Sequence, residues 1–247
     1  ASLLLSAYAA GSILTFTALT VGVAATYAQS FDNPFLERLT LALVYPLGFV
    51  VCIMSGTQLF TEHTALAVYP ALERKVTKLS LLRTWTLVLL GNYAGCLVGA
   101  AFLWAAEPVI HAGTGYEFVA QKVLAAPIGP TFISAMLAGW LMAIGGWLVM
   151  ASLPNIGQMI SIYIVTFIIG LGGLHHSVAA AAELFAALFT GADISTAETA
   201  YKLTIIILGN LVGGSVFVAV LNYGHIRKTL PKPHDPQNTN NTNNPTT

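Results

Sequence analysis

Two polar stretches inside otherwise apolar segments carry the residues best suited to chemistry. The first contains Gly56, Gln58, Thr61, Glu62 and His63, and the second contains Gly172, Gly173, His175, His176 and Ser177. A histidine, with an unperturbed pKa of ~6.5, is the side chain best able to exchange a proton near neutral pH. Moving an anion from water into hydrocarbon costs on the order of 20 kcal/mol in the idealised limit. These residue types therefore suit the task of cancelling the charge of a small anion inside a membrane.

A short sequence pattern occurs twice. Leu90, Gly91, Asn92 and Gly95 recur 118 residues later as Leu208, Gly209, Asn210 and Gly213. Each copy follows one of the two polar stretches. Internal repeats whose hydrophobic segments are interrupted at corresponding places are typical of channels and transporters with a site near the membrane midplane. We therefore expect residues 30–105 and 148–225 to superpose after inversion across the membrane, with the two interruptions meeting at mid-depth.

The composition indicates a membrane protein. Only 8% of the residues are charged, 56% are hydrophobic, and the mean hydropathy is +0.75, whereas a soluble domain has about 25% charged residues. The surplus apolar surface must face a lipid bilayer, because a domain of this size still exposes about a quarter of its unfolded surface. The net charge of zero gives no reason to expect a nucleic-acid partner. Cys52 and Cys96 lie in apolar runs without CxxC spacing and are expected to pack in the core.

Six segments are long enough to cross ~30 Å of hydrocarbon, which takes about 20 residues each. The second and the fifth continue past a polar stretch into segments too short to cross alone, so we interpret each as one broken helix. Backbone that lacks helical hydrogen bonds at membrane depth is tolerated only where it is buried in protein or lines a water-filled cavity. The predicted spans are residues 3–27, 35–59 (continuing as 62–72), 82–105, 130–151, 156–174 (continuing as 176–190) and 201–225.

The basic residues indicate the orientation. They cluster after the second span and after the sixth, so the positive-inside rule places both of these segments and both termini in the cytoplasm. The two clusters are Arg74, Lys75, Lys78 and Arg83, and Arg227, Lys228 and Lys232. Residues 1–228 then form one transmembrane domain, with repeats at about 1–105 and 130–228. Residues 229–247, rich in Pro, Asn and Thr, are predicted to be a disordered cytoplasmic tail.

The motifs in this order resemble the formate/nitrite transporter family. Residues 56–61 (Gly-Thr-Gln-Leu-Phe-Thr), the basic loop and the first Leu-Gly-Asn copy match its first half. Residues 173–179 (Gly-Leu-His-His-Ser-Val-Ala) resemble its fifth-helix signature, Phe-Glu-His-Ser-Val-Ala-Asn. Trp140, Leu141 and Trp147 have the spacing of its fourth helix, and Gly209 and Asn210 match its sixth. The resemblance extends from about residue 10 to 226 and indicates a divergent branch.

The resemblance implies an all-α integral membrane protein: an aquaporin-like bundle of six helices with an inverted repeat and broken second and fifth helices. It also implies a homopentamer in the cell inner (plasma) membrane, with one conduction path in each subunit. Family members pass small monovalent anions such as formate, nitrite or hydrosulfide, some together with a proton. Carried over by position, the path residues are His176 as the central histidine, Thr61, Asn92, Asn210, the vestibule lysine Lys122, and Leu59 and Phe60 as an apolar constriction.

Several positions depart from the family pattern. Gln58 and His175 replace the two glutamates that precede Leu-Phe-Thr and the histidine. Glu62 and His63 occupy the positions where the family has Gly-Asn after Leu-Phe-Thr. Gly139 and Ala180 occupy positions where the family has asparagine. These changes alter the hydrogen bonding that sets the state of His176, so the substrates of the family do not transfer directly.

The chemistry of such a path allows two routes past His176. An anion takes the proton of a neutral His176 and crosses as a neutral acid, or it passes a cationic His176 as an ion. Lys122 would concentrate anions in an outer vestibule. The helix N-termini opened near Thr61 and Ser177, each resembling about half a positive charge, would assist.

Each of these residues also has an ordinary structural interpretation. On a helix His175 and His176 point roughly 100° apart, so we expect at most one of them to face any one path. Glu62 and His63 fit a cap of the second half-helix. Glu183 fits an ion pair or a subunit contact. Asn92 and Asn210 fit equally well with holding broken backbone and with touching the solute.

Three classes of function compete. The sequence favours a channel or proton-coupled transporter for a small monovalent anion or weak acid. The missing carboxylates leave open an aquaporin-like pore for a small neutral solute or weak base. A haem protein would need His63 and His176 as paired ligands, and no Gly-x-Ser-x-Gly or His-Glu-x-x-His motif supports an enzyme. We therefore expect neither catalysis nor a bound cofactor or metal.

Overall fold

A computed structural model describes residues 2–220 of the chain, with side chains up to residue 216. Within this part the protein is almost entirely helical and has no strand. The predicted tail and the basic residues after the sixth span lie outside the described residues. The helices are α1 (Ser2–Ala28), α2 (Pro34–Val44), α3 (Pro46–Met54), α4 (Phe60–Leu66), α5 (Val68–Leu72), α6 (Lys78–Ala105), α7 (Glu107–Ile110), α8 (Gly113–Ala125), α9 (Ile128–Ala151), α10 (Ile156–Gly172), α11 (Ser177–Phe189), α12 (Thr196–Val212) and the π-helical segment Gly213–Val220.

The spans agree with the prediction of six. Five are continuous by length and apolar character: α1, α2 with α3, α6, α9, and α12 with its π-helical extension. The sixth is the pair α10 and α11, which are bent by 59° at their junction. Large apolar side chains such as Phe16, Leu90, Phe102 and Ile160 stay exposed along these helices. A surface of this kind needs lipid or a neighbouring subunit to cover it.

Two boundaries differ from the sequence prediction. Helix α6 begins at Lys78, so Lys78 and Arg83 lie on the helix rather than in a loop. Helix α8 (Gly113–Ala125) was not predicted, because its 13 residues are too few to cross a membrane and it falls between two spans. It packs against α1 and α11. This helix carries Lys122, so it helps to position the site.

Both interruptions begin at a glycine with left-handed backbone. Gly56 has φ 69° and Gly173 has φ 60°, a conformation that glycine adopts at little steric cost. The chain then passes through an extended residue, Leu59 in the first interruption and His176 in the second, before α4 and α11 begin. Helix α4 therefore begins at Phe60, two residues earlier than the sequence suggested. The predicted breaks in the second and fifth spans are confirmed at equivalent positions.

The repeated glycines bring two pairs of helices into close contact. A Cβ atom at Gly95 would lie 2.1 Å from the carbonyl oxygen of Tyr8, where α6 crosses α1. A Cβ atom at Gly213 would lie 2.0 Å from the carbonyl oxygen of Met136, after α12 crosses α9. Small residues allow such backbone approach in membranes. The two halves therefore use the same packing.

We predict that Gly95→Ala and Gly213→Ala destabilise the protein by about 1–3 kcal/mol each, because the added methyl group meets backbone that cannot move aside cheaply. The matched control is Gly146→Ala, since a Cβ atom there has no other atom within 4 Å. The thermal unfolding midpoint of the purified protein in detergent measures both effects. Equal midpoints for Gly95→Ala and the control would contradict the packing described here.

Candidate conduction path

The two interruptions adjoin. The hydroxyl oxygen of Thr61 on α4 lies 2.7 Å from Nε2 of His176, which directly precedes α11. Both side chains are buried, and the His176 ring packs edge-on against Phe49 with 4.9 Å between ring centroids. Residues 115 positions apart in sequence therefore form one polar contact between the broken helices.

The hydrogen bonds of His176 define its tautomer. His176 is the N-cap of α11, and its Nδ1 accepts a hydrogen bond of 3.2 Å from the backbone N–H of Ala179. A nitrogen that accepts carries no proton, so the neutral ring has its proton on Nε2 and donates it to the Thr61 hydroxyl. The hydrogen of that hydroxyl is then available to another acceptor. The Ser177 hydroxyl, next in the chain, is buried with no hydrogen-bond partner among the described residues.

A cavity of ≈ 520 Å³ leads to this contact. His176 lies in its wall, and charged residues of α2 and α8 line it as well. The polar residues that line it are Glu37, Arg38, Tyr45, Lys122, His175, His176 and Glu183. The cavity therefore joins a charged region near the predicted outer loops to the polar contact between the breaks.

Lys122 lines the cavity but is not a free cation. Its Nζ forms a short ion pair with Glu37 and lies 4.5 Å from the ring centroid of Phe118. The guanidinium of Arg38 also has a partner, because Nη2 donates to the carbonyl oxygen of Gly172 at 3.0 Å. The attraction of this region for anions therefore depends on charges that are already partly compensated.

The two histidines do not obey the helical spacing assumed from the sequence. His175 and His176 both line the cavity, although helical spacing predicted side chains that point in different directions. The reason is that His176 has extended backbone and only Ser177 begins the helix. That at most one of them faces the conduction path stays a prediction. The two rings still differ in their partners: Nδ1 of His175 is in a short hydrogen bond with the Ser134 hydroxyl, and only His176 contacts Thr61.

Asn92 and Asn210 occupy equivalent positions in the two halves, and both are fully buried. Asn92 accepts from the first N–H of α4 at 2.8 Å and donates to the carbonyl oxygens of Ala7 and Gln58 at 2.8 and 2.9 Å. Asn210 accepts from the first N–H of α11 at 2.7 Å and donates to the carbonyl oxygens of Ala135 and His175 at 2.7 and 2.9 Å. Each side chain therefore satisfies backbone on both sides of one break.

The other polar residues of the first break are tied to each other. Gln58 Oε1 and His63 Nε2 form a short hydrogen bond, and Trp85 donates to the carbonyl oxygen of His63 at 2.9 Å. The suggested cap by Glu62 or His63 is wrong, because the N-cap residue is Leu59 and Asn92 satisfies the first N–H of α4. Leu59 and Phe60 are buried and are absent from the lining of the cavity.

Two buried charged residues, Glu183 and Lys202, lie on α11 and α12. Glu183, for which an ion pair or a subunit contact was expected, lines the cavity without an ion pair or hydrogen bond in the described part of the chain, and the subunit contact stays a prediction. Lys202, on α12, is buried and donates a short hydrogen bond to the carbonyl oxygen of Ala126, at the end of α8. The signal for Lys202 was its position inside a predicted span, where an ionisable residue indicates function.

Six spans, two of them broken at adjoining polar residues beside a cavity, define the fold of a membrane channel or transporter. The formate/nitrite transporter model matches residues 1–224. The chain belongs to the formate/nitrite transporter family.

Individual relatives agree with this assignment. The inner membrane protein YfdC of Escherichia coli is 30% identical over 236 residues, covering 93% of this chain and 73% of that protein. A probable formate transporter of Methanothermobacter thermautotrophicus is 27% identical, covering 87% and 85% of the two chains. A solved pentameric formate channel with formate bound has the same fold, with a TM-score of 0.78 at 20% identity over 92% of this chain and 97% of that one.

We predict that Asn92→Leu and Asn210→Leu each destabilise the protein severely, because each removes the hydrogen-bond partner of two backbone groups at a break, the first N–H of the half-helix and one carbonyl oxygen of the extended segment, at about 1–3 kcal/mol per group. Gln121→Leu is the control, since Gln121 is exposed and bonds only a surface glutamate. The yield of monodisperse protein and its unfolding midpoint in detergent measure the effect. Normal yield and stability of Asn210→Leu would show that the fifth-span break does not need this side chain.

Proposed function

We propose that the protein conducts a small monovalent anion of a weak acid, in the class of formate, nitrite or hydrosulfide, through a path within each subunit. The path begins in the cavity between α2 and α8 and passes His176, Thr61 and Ser177. It continues toward Leu59 and Phe60, which form an apolar constriction on the cytoplasmic side. Membership of the family and the arrangement of the two breaks support this proposal.

The observation that carries the proposal is the contact between Thr61 and His176. Its His176 side lies in the wall of the cavity. The contact joins two half-helix N-termini, whose partial positive charges favour a negative solute. The Thr61 hydroxyl hydrogen has no acceptor among the described contacts, and the buried Ser177 hydroxyl has no partner. Two unused hydroxyl donors, one bonded to His176 and one next to it in the chain, suit a solute that accepts hydrogen bonds, such as a carboxylate or nitrite oxygen.

The orientation and the assembly are part of the proposal. The basic residues around Arg74 and Lys75 support a cytoplasmic location for the connection after α5 under the positive-inside rule, and in that orientation the cavity opens to the outside. A solved formate channel with the same fold is pentameric, and the exposed apolar surface of the spans leaves area for neighbouring subunits. We propose a homopentamer in the inner membrane with both termini in the cytoplasm.

A flux assay in proteoliposomes tests the function. Formate, nitrite and hydrosulfide should pass at rates well above those of protein-free vesicles, and chloride, urea and ammonium should not. Passage of ammonium or urea without any of the anions would support the alternative, a pore for a weak base or neutral solute. The carboxyl group of Glu183 in the cavity would favour that alternative if it were ionised.

In the same assay, His176→Asn should lose most of the anion flux while the protein still assembles. Asparagine is a good N-cap, so the change keeps the cap of α11 but removes the imidazole that bonds Thr61. His175→Asn is the matched control and should do less, because His175 bonds Ser134 rather than Thr61. Loss of flux in His175→Asn together with normal flux in His176→Asn would show that His175, and not His176, lies on the path.

The constriction gives a separate prediction. Replacing Leu59 and Phe60 with alanine should raise flux and loosen selectivity, because the apolar side chains no longer narrow the path. Leu59 and Phe60 are 0% and 2% exposed, so the change also costs about 2–5 kcal/mol per residue in packing. Val88→Ala, a fully buried apolar residue outside the two breaks, is the control for that packing cost. Unchanged flux in a folded double variant would show that both residues serve packing alone and do not narrow the path.

A further inference from the structure

Glu183 lies in the wall of the cavity, on the same helix as His176. It is seven residues beyond the cap of α11, so it lies two helical turns, or about 10 Å, further along the helix. Because α11 runs from the break toward the predicted outer loop at Asp193, Glu183 lies on the outer side of His176. Its side chain is 93% buried, with 7% relative exposure, yet it lines the cavity. A solute that enters from the outside meets Glu183 before His176.

No cation compensates this carboxyl group in the described part of the chain. Lys122 pairs with Glu37, and Arg38 and Lys202 donate to carbonyl oxygens. Burying an unpaired carboxylate is costly, so such a group either holds a proton or meets a charged partner that arrives from solution. The other titratable and charged residues on the cavity wall are Glu37, Arg38, Tyr45, Lys122, His175 and His176. Those that are buried or half-buried on the helices packed against α11 are Glu62, His63, Tyr93, Cys96, Tyr116, Glu117 and Lys202.

His176 is a poor candidate for the proton donor. Its Nδ1 accepts the capping hydrogen bond from Ala179, and its Nε2 proton is directed at Thr61. Adding a proton at Nδ1 would replace this hydrogen bond with two facing N–H groups and open the cap. Removing the Nε2 proton would leave an imidazolate in a buried site. Glu183, in contrast, has no hydrogen-bond or ion-pair partner for either carboxyl oxygen among residues 2–216.

We propose that Glu183 is the group that exchanges a proton with the transported anion, and that His176 positions the solute through Thr61. This inference rests on the proposed function. The O–H bond of the Glu183 carboxyl group breaks as an O–H bond forms on the anion, which becomes a neutral acid and leaves Glu183 as a carboxylate. The neutral acid passes Thr61 and the apolar constriction. Water at the outer end of the cavity returns a proton to Glu183, so one proton moves inward with each anion.

The test uses the full chain in proteoliposomes with a pH-sensitive dye inside, driven by an inward formate gradient at a series of external pH values. Wild-type protein should acidify the vesicle interior as formate enters, faster at lower external pH. Glu183→Gln keeps the size of the side chain and a hydrogen-bond donor but has no transferable proton, so formate flux should become independent of pH and largely be lost. Glu183→Asp should retain the pH profile. Glu198→Gln, at an exposed position in the first turn of α12, should behave as wild type.

The outcomes separate this inference from the proposed function. Wild-type protein that passes none of the anions would refute the function and the inference together. Suppose that Glu183→Gln has the same flux and pH profile as the wild type, while His176→Asn loses the pH profile. This result would refute only the inference and would assign the proton exchange to His176. If Glu183→Gln does not fold, Glu183→Met replaces it, and a retained pH profile in that variant likewise refutes the inference. Loss of ammonium flux alone in these variants would identify Glu183 as a cation site and overturn the proposal.

Discussion

The structure depends on satisfying backbone that leaves the helix inside the membrane. Hydrocarbon offers no hydrogen bonds, so every freed N–H and C=O group needs a partner within the protein. Asn92 and Asn210 supply that partner at the two breaks, each with one accepted and two donated hydrogen bonds. The close glycine contacts of α6 with α1 and of α12 with α9 bring these asparagines within reach. Close helix packing and asparagine hydrogen bonding therefore act together, in the same way, at both breaks.

Because the asparagines satisfy the freed backbone groups, the other side chains of the breaks are available for contacts with a solute. With the backbone held by asparagine, His176 is positioned by its contacts with Thr61, Ala179 and Phe49. The charged residues in and near the cavity are arranged differently, because Lys122, Arg38 and Lys202 each have a partner, whereas Glu183 has none in the described part of the chain. The electrostatic character of the cavity therefore depends more on that carboxyl group than on the basic residues near it.

The sequence predicted features that depend on local pattern and missed those that depend on contacts between distant residues. Apolar length gave the six spans, and the glycines with polar neighbours gave the two breaks. The pair of Lys122 with Glu37 joins residues 85 positions apart on helices that do not follow one another. The orientations of His175 and His176 were misjudged because helical spacing was assumed where the chain is extended. No sequence pattern showed that Glu183 would lack a partner.

The equivalent positions Leu59 and His176 have nearly the same backbone, with φ and ψ of −98° and 132° for the first and −101° and 123° for the second. One half of the molecule thus presents an aliphatic side chain where the other presents an imidazole, on scaffolds that are otherwise alike. The duplicated architecture therefore carries an apolar residue in one half and a titratable residue in the other at equivalent positions. Because Asn92 and Asn210 hold the freed backbone in the same way in both halves, a substitution at Leu59 changes one side chain and leaves that framework intact, whereas a substitution at His176 also changes the cap of α11.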